Sequence, residues 1–239
     1  MSRAKQPRPA LIVFCREPIE YQVKTRLLGS MSPAAAAALS DAFIRDALAK
    51  AASVRPARIV IAASAVGGIE RSKYFQRLAR RYNAELIDQG GGSLGRRMAR
   101  ALELFSSSGA MLIGTDTPSL PAALLDANLG ALRRTRVVIA PSLDGGYYAV
   151  GVRGALPPIF TAIRWGTSSV FASTVKRLKR AGIPYALGPA WYDVDRWADV
   201  MLLAAHLRML ARMRRRAVSS PCPATESVLQ RLGVLRHDR

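Results

Sequence analysis

The sequence predicts an α/β domain built on a mostly parallel sheet with helices on both faces. Two observations carry this expectation. Apolar runs of strand length alternate with longer helix-forming stretches along most of the chain, the order that βαβ units give. Polar residues suited to chemistry fall just after several of those runs, where open α/β sheets bind their ligands.

The elements follow in order. Leu11–Cys15 is a continuous apolar run and reads as a buried central strand. Ser32 and Pro33 open a helix as cap and first helical residue, and Ala34–Ala52 continues it. Arg58–Ala63 is a second strand, Ile69–Tyr82 a basic helix and Glu85–Ile87 a short third strand. Ser93–Phe105 is helical, Ala110–Ile113 is a fourth buried strand, Leu120–Leu132 a helix and Val137–Ala140 a fifth strand. Tyr147–Val152 follows a Gly-Gly turn so closely that it must run in a different direction from its predecessor. Thr167–Arg180 and Arg196–Arg208 are helices flanking a last strand, Tyr185–Leu187. The expected organisation is a basic N-terminal tail over 1–9, one domain over 10–207 and a basic C-terminal tail over 208–239, partly ordered at best.

Bulk properties narrow the class. Half of the 239 residues are hydrophobic and 7% aromatic, ordinary for an α/β domain. No apolar run approaches the roughly 20 residues of a membrane span, and Ala10–Cys15 is shorter than the ~7–15 residues of a signal-peptide core, so a cytoplasmic location is expected. Two cysteines, Cys15 and Cys222, form neither a disulfide framework nor a metal-ligand pattern. Thirty-six Lys and Arg against 16 Asp and Glu give a net charge of +20, which favours anionic partners. The cations are spread over helical stretches such as Arg71–Arg81, Lys176–Arg180 and Arg208–Arg216. They read as solvated helix faces, and nucleic acid is not the expected partner.

The polar clusters carry the chemistry. Arg16 and Lys24-Thr25-Arg26 follow the first strand, and two exposed loop cations beside a hydroxyl suit a phosphate chain, or an ordinary basic surface loop. Asp116, in Gly114-Thr115-Asp116-Thr117-Pro118-Ser119, stands at the tip of the fourth strand as a ligand for a hard cation or as a helix cap. Asp193 and Asp195 alternate onto one face of an extended segment, where like charges need a cation or proton between them. Asp144-Gly145-Gly146-Tyr147 and Gln89-Gly90 through Gly95 are turns whose glycines permit close backbone approach to a ligand.

The succession KTRL (Lys24–Leu27), Q-GG-LG-RM (Gln89–Met98), GTDTPSL (Gly114–Leu120), P-DGGYY-G (Pro141–Gly151), WGTS (Trp165–Ser168) and DVD---D (Asp193–Asp199) resembles a bacterial family of glycosyltransferase-like proteins of GT-A fold, DUF2064-type. These are associated with radical-SAM and selenium-related gene neighbourhoods. It is similar, more distantly, to the phospholactate and phosphoenolpyruvate guanylyltransferases of the deazaflavin cofactor pathway. The resemblance implies a GT-A, Rossmann-like nucleotide-diphospho-sugar transferase fold, with Mg²⁺ or Mn²⁺ held by Asp116, Asp193 and Asp195. It implies that Arg16, Lys24, Thr25 and Arg26 meet the donor phosphates, and that Gln89, Gly90 and Gly95 meet the base. Asp144, Gly145, Gly146 and Tyr147 would face the acceptor; Asp144, as the acceptor's base, and Lys24 are the candidate catalytic residues. One departure stands out: Tyr21 occupies a first-loop position where the family usually has Gly.

Three functions are compatible with these residues. A glycosyltransferase would use a nucleotide-sugar donor and a small-molecule acceptor. A nucleotidyltransferase would join an NTP to a phosphorylated small molecule and release pyrophosphate. A non-catalytic protein would bind nucleotides or polyanions.

Overall fold

Leu11, Ile12 and Val13 have no solvent-exposed surface, and the strand that holds them, Ala10–Arg16 (β1), lies at the centre of a seven-stranded sheet. The computed structural model describes residues 8–213 and 220–235. The other strands are Ile59–Ser64 (β2), Glu85–Asp88 (β3), Ala110–Ile113 (β4), Val137–Pro141 (β5), Tyr147–Val152 (β6) and Tyr185–Leu187 (β7). Their order is β3-β2-β1-β4-β6-β5-β7. Only β6 runs antiparallel, between β4 and β5; the turn from Ser142 to Gly146 is too short to return the chain for a parallel pairing.

Alternation along β1 sends Leu11, Val13 and Cys15 to one face and Ile12 to the other. The first face packs on Pro33–Ser53 (α1), Lys73–Tyr82 (α2) and Ala122–Leu132 (α4). The second packs on Leu94–Glu103 (α3) and Val170–Arg180 (α5). The expected α/β architecture with helices on both faces is therefore the one observed.

Several boundaries move for identifiable reasons. The α2 helix begins at Lys73 and not at Ile69, because Gly67 and Gly68 take φ of +79° and +95° and Ser72 caps the helix, its Oγ accepting from Phe75 N at 3.3 Å. The α5 helix begins at Val170 and not at Thr167, whose Oγ1 instead donates to Arg164 O at 2.8 Å. The α4 helix begins after Pro121, since Leu120 N closes a turn onto Thr117 O.

The largest departure is at the C-terminus. The last long helix, Trp197–Met213 (α6), runs past the expected boundary at 207, and Pro223–Arg231 (α7) packs on α1. Residues 220–235 are therefore not an appended tail. Cys222, Val228 and Leu229 are buried with Leu39 and Phe43 of α1 and Leu203 and Leu207 of α6 in a third apolar cluster. The short apolar spacing of 226–235 closes a core that α1 and α6 leave open. Asp46 of α1 fixes the join, its carboxylate accepting from Ala224 N, Thr225 N and Thr225 Oγ1 at 2.6–3.0 Å. One turn later Lys50 donates to Pro118 O at 2.8 Å, and burial pulls the pKa of its amine down to about 8. The expected N-terminal tail, apart from Arg8 and Pro9, and the arginines at 214–216 lie outside the described residues. No helix among the described residues is long and apolar enough to cross a membrane.

Replacing Asp46 with Ala strands three donors of α7 and is expected to lower unfolding free energy by about 2–4 kcal/mol, read from urea denaturation. A chain ending at Leu207 loses the same packing and should melt below the full chain; equal melting temperatures would show α7 to be dispensable to the fold.

Candidate active site

In the strand order, sequence number falls towards β1 and then jumps to β4. This is the switch point at which an open α/β sheet leaves a crevice at its carboxyl edge. A cavity of about 760 Å³ opens there, bounded by the segments that leave β1, β4 and β7 and by the β5–β6 turn.

Three distant segments converge in it on one ammonium group. Lys24 Nζ lies 2.6 Å from Asp116 Oδ1 and 3.0 Å from Asp195 Oδ1, and donates to Val194 O at 2.6 Å. Its side chain is only 7% exposed and its ammonium sits 5.0 Å from the centre of the Phe43 ring. The expectation that Lys24 is an exposed loop charge is thus corrected: it is a buried cation shared by two carboxylates. Backbone contacts fix the same junction, Val194 N donating to Asp116 O at 2.8 Å and Trp191 Nε1 to Ser119 Oγ at 3.1 Å. Asp199 holds the following turn, its Oδ2 accepting from Asp195 N and Arg196 N at 3.0 and 2.7 Å. Arg26, 57% exposed in its side chain, reaches Asp195 Oδ2 at 3.2 Å. Thr25, beside it, also borders the cavity.

The electrostatics follow from the charge count. Burial alone would lower the Lys24 pKa, but Asp116 and Asp195 outweigh it and hold the ammonium above its usual value. Asp193, half-buried, is pushed up to about 6, first by burial and then by the carboxylates of Asp144, Asp195 and Asp116. Four carboxylates thus share one edge of the cavity, and the Lys24 ammonium contacts two of them. Oxygen donors of this kind fit Mg²⁺ or Mn²⁺. Among the described residues no three acidic, His or Cys side chains are grouped closely enough to enclose an ion, so the set fits a cation that takes its remaining ligands from a bound phosphate chain.

The opposite wall is basic and aromatic. Arg97, which sequence reasoning did not single out, lines the cavity with Arg16 and Trp165. Its NH1 donates to Gln89 Oε1 at 2.7 Å and its guanidinium lies 5.8 Å from the Phe14 ring centre. Burial, and then Arg16, lower its pKa, and its Nε is buried without a hydrogen-bond partner. The signal for it was the motif Gln89–Met98, which contains Arg97 but draws the eye to its glycines.

Some expected ligand contacts prove structural. Gln89 is 2% exposed, and its Nε2 bridges Cys15 O and Ala62 O at 2.9 Å each. With Oε1 engaged by Arg97, it clamps β1 to β2 and aims Arg97, and its amide is not open to a base. Gly95 is buried against Trp165 and presents no bare backbone to a ligand, whereas Gly90 is exposed, with Arg100 on the side where a Cβ would stand. Gly145 has φ +88° and faces Ser168 O so closely that an added Cβ would lie 2.1 Å from it; it seats the 166–168 loop rather than an acceptor. Gly146 does border the cavity. Tyr147 lines it with its ring, packed edge-on to Trp165 at 6.3 Å, while its hydroxyl is buried beside Thr174. Asp144 Oδ1 accepts from Gly146 N at 2.8 Å and from Ser142 Oγ, so that oxygen shapes the turn. Tyr21, standing where Gly is usual, keeps the left-handed backbone at φ +61° with its ring 69% exposed.

Gly145→Ala is expected to destabilise the fold by about 2–3 kcal/mol, since both the left-handed φ and the Ser168 contact oppose a Cβ. Gln89→Leu should cost a similar ~2–3 kcal/mol by removing the two bonds from its amide to β1 and β2 and leaving the Arg97 guanidinium without its acceptor. Thermal or urea unfolding checks both, and near-wild-type stability for either would contradict these assignments.

Comparison with known proteins bears on this arrangement. The bacterial family described as uncharacterized and conserved in bacteria, DUF2064, matches residues 44–167. Comparison with the curated proteins finds no match. Among solved structures, the chain is similar to a candidate nucleotide-diphospho-sugar transferase from Desulfovibrio desulfuricans G20, at 27% identity and a TM-score of 0.79 over 96% of each chain. It shares its fold with a 4-diphosphocytidyl-2C-methyl-D-erythritol synthase from Anaerococcus prevotii (11% identity, TM-score 0.55, 85% of this chain and 99% of that one). The same holds for a cytidylyltransferase from Leptospira borgpetersenii (10% identity, TM-score 0.55, 98% of each). With the family matching more than half of its length, the chain belongs to DUF2064.

Proposed function

We propose that the protein is an enzyme that binds a nucleotide-linked sugar and transfers the glycosyl group to a small-molecule acceptor. The observation that carries this reading is the meeting of Asp116, Lys24 and Asp195, from three segments far apart in sequence, beside Arg16 and Arg26 in one cavity. Capping a helix needs none of that convergence. Transfer from a nucleoside diphosphate needs it, because the leaving group develops negative charge that fixed cations must meet.

On this reading the donor diphosphate lies along Lys24, Arg26 and Arg16, which bind and orient it. Mg²⁺ or Mn²⁺ between Asp116, Asp193 and Asp195 would neutralise charge on the leaving diphosphate. The Asp144 carboxylate, through the oxygen not engaged by the turn, takes the acceptor's proton. Trp165 and Tyr147 wall the acceptor side and exclude water. The similarity to the Desulfovibrio desulfuricans protein supports a sugar-nucleotide donor. Nucleotidyl transfer is the second reading, favoured by Arg97 beside Arg16, since that additional cation suits a triphosphate.

A thermal-shift series distinguishes them. Sugar nucleotides with Mn²⁺ should raise the melting temperature more than free NTPs do; stabilisation by NTPs alone supports nucleotidyl transfer, and no shift with either class contradicts both. Arg16→Ala should weaken donor binding about tenfold, or ~1.4 kcal/mol, with the unliganded melting temperature unchanged because Arg16 is exposed. Unaltered donor affinity would remove Arg16 from the phosphate site.

A further inference from the structure

The position between Asp116 and Asp195 that the proposed metal would share is occupied by a cation of the protein itself. Lys24 Nζ touches Oδ1 of both carboxylates, at 2.6 and 3.0 Å, and Val194 O at 2.6 Å. Those are the contacts of a held group, not of a mobile arm crossing solvent. A doubly charged ion seated on the same two oxygens would lie close against the ammonium, and the two cations repel one another there. A phosphate chain offers Lys24 an alternative partner within the same cavity.

We infer that Lys24 is an internal counter-ion that keeps the divalent metal off Asp116 and Asp195 until a donor diphosphate draws its ammonium away, so that metal and donor bind cooperatively. This inference rests on the metal-dependent reading above and adds to it an order of events and the residue that enforces it. The exchange balances in charge: the ammonium leaves two carboxylates for phosphate oxygens, and the metal replaces it on the carboxylates. By linkage, whatever the donor adds to metal affinity the metal adds to donor affinity. Arg26 provides the internal control. It carries the same single charge and lies 3.2 Å from Asp195 Oδ2, but it is exposed and reaches only one of the two carboxylates.

The test is Mn²⁺ binding, followed by water-proton relaxation, with and without UDP or GDP and corrected for Mn²⁺ bound to free nucleotide. In the wild-type chain Mn²⁺ alone should bind weakly and tighten about tenfold with the nucleotide, within the usual span of coupling between sites. Lys24→Met should bind Mn²⁺ alone about tenfold more tightly than wild type and lose the dependence on nucleotide. Arg26→Met should stay within about threefold of wild type for Mn²⁺ alone, the size of effect expected from a screened surface charge. Two results overturn the exchange and leave the metal reading standing: wild type binding Mn²⁺ alone as tightly as Lys24→Met, or Arg26→Met gaining as much affinity as Lys24→Met. Absence of Mn²⁺ binding in every variant, with and without nucleotide, overturns the exchange and the metal reading together. The wild-type measurement with and without nucleotide keeps the inference falsifiable should Lys24→Met not fold.

Discussion

The geometry of the cavity depends on one buried ammonium placed among carboxylates. Lys24 leaves a turn after β1, Asp116 leaves β4 and Asp195 follows β7, and without a cation at their meeting point the two acids would repel one another. The backbone bond from Val194 to Asp116 and the Trp191–Ser119 bond then hold the late segment against the β4 loop. Asp199 caps the turn that follows. The left-handed backbone of Lys24, φ +47°, follows from that placement. A non-glycine residue accepts such a conformation only where surrounding contacts over-determine it.

The two walls of the cavity solve opposite electrostatic problems. The acidic wall concentrates more carboxylates than its cations neutralise, so the burden falls on Asp193. The basic wall holds two guanidinium groups together, with Gln89 and Phe14 fixing one of them. A ligand carrying both phosphate oxygens and a bridging cation satisfies the two walls at once. The overall charge of +20 has little part in this, since the cations that matter are few and individually placed.

Most of the architecture was legible because it rests on local rules. Buried strands such as Leu11–Cys15 are apolar throughout, Ser32-Pro33 marks a helix start, and the short Gly145-Gly146 turn forces β6 to run against β5. The acidic residues of the site were legible for a similar reason, since each stands at a strand end. What the chain did not disclose was partnership across long separations. Nothing near Gln89 says that its amide is consumed by Cys15 and Ala62, and nothing near Lys24 says that it is buried. Nor does composition distinguish a glycine that approaches a ligand from one that approaches Ser168. The C-terminal helix was misread for the same reason: its few apolar residues look inadequate until the open flank of α1 is there to receive them.

The double use of α1 gives the molecule a temporal asymmetry. Asp46 and Lys50 lie one turn apart, the first gripping α7 and the second gripping the Pro118 carbonyl beside Asp116. Since α7 follows every other described element in the chain, it emerges last during synthesis. Until then the Asp46 carboxylate lacks the three donors that stabilise it, and the cluster around Phe43, whose ring also backs the Lys24 ammonium, lacks the cover of Cys222, Val228 and Leu229. A nascent chain can therefore pair its strands before the join between α1 and α7 is made. Proteolysis ahead of residue 222 would then leave that flank of α1, and the Asp46 carboxylate on it, open to solvent.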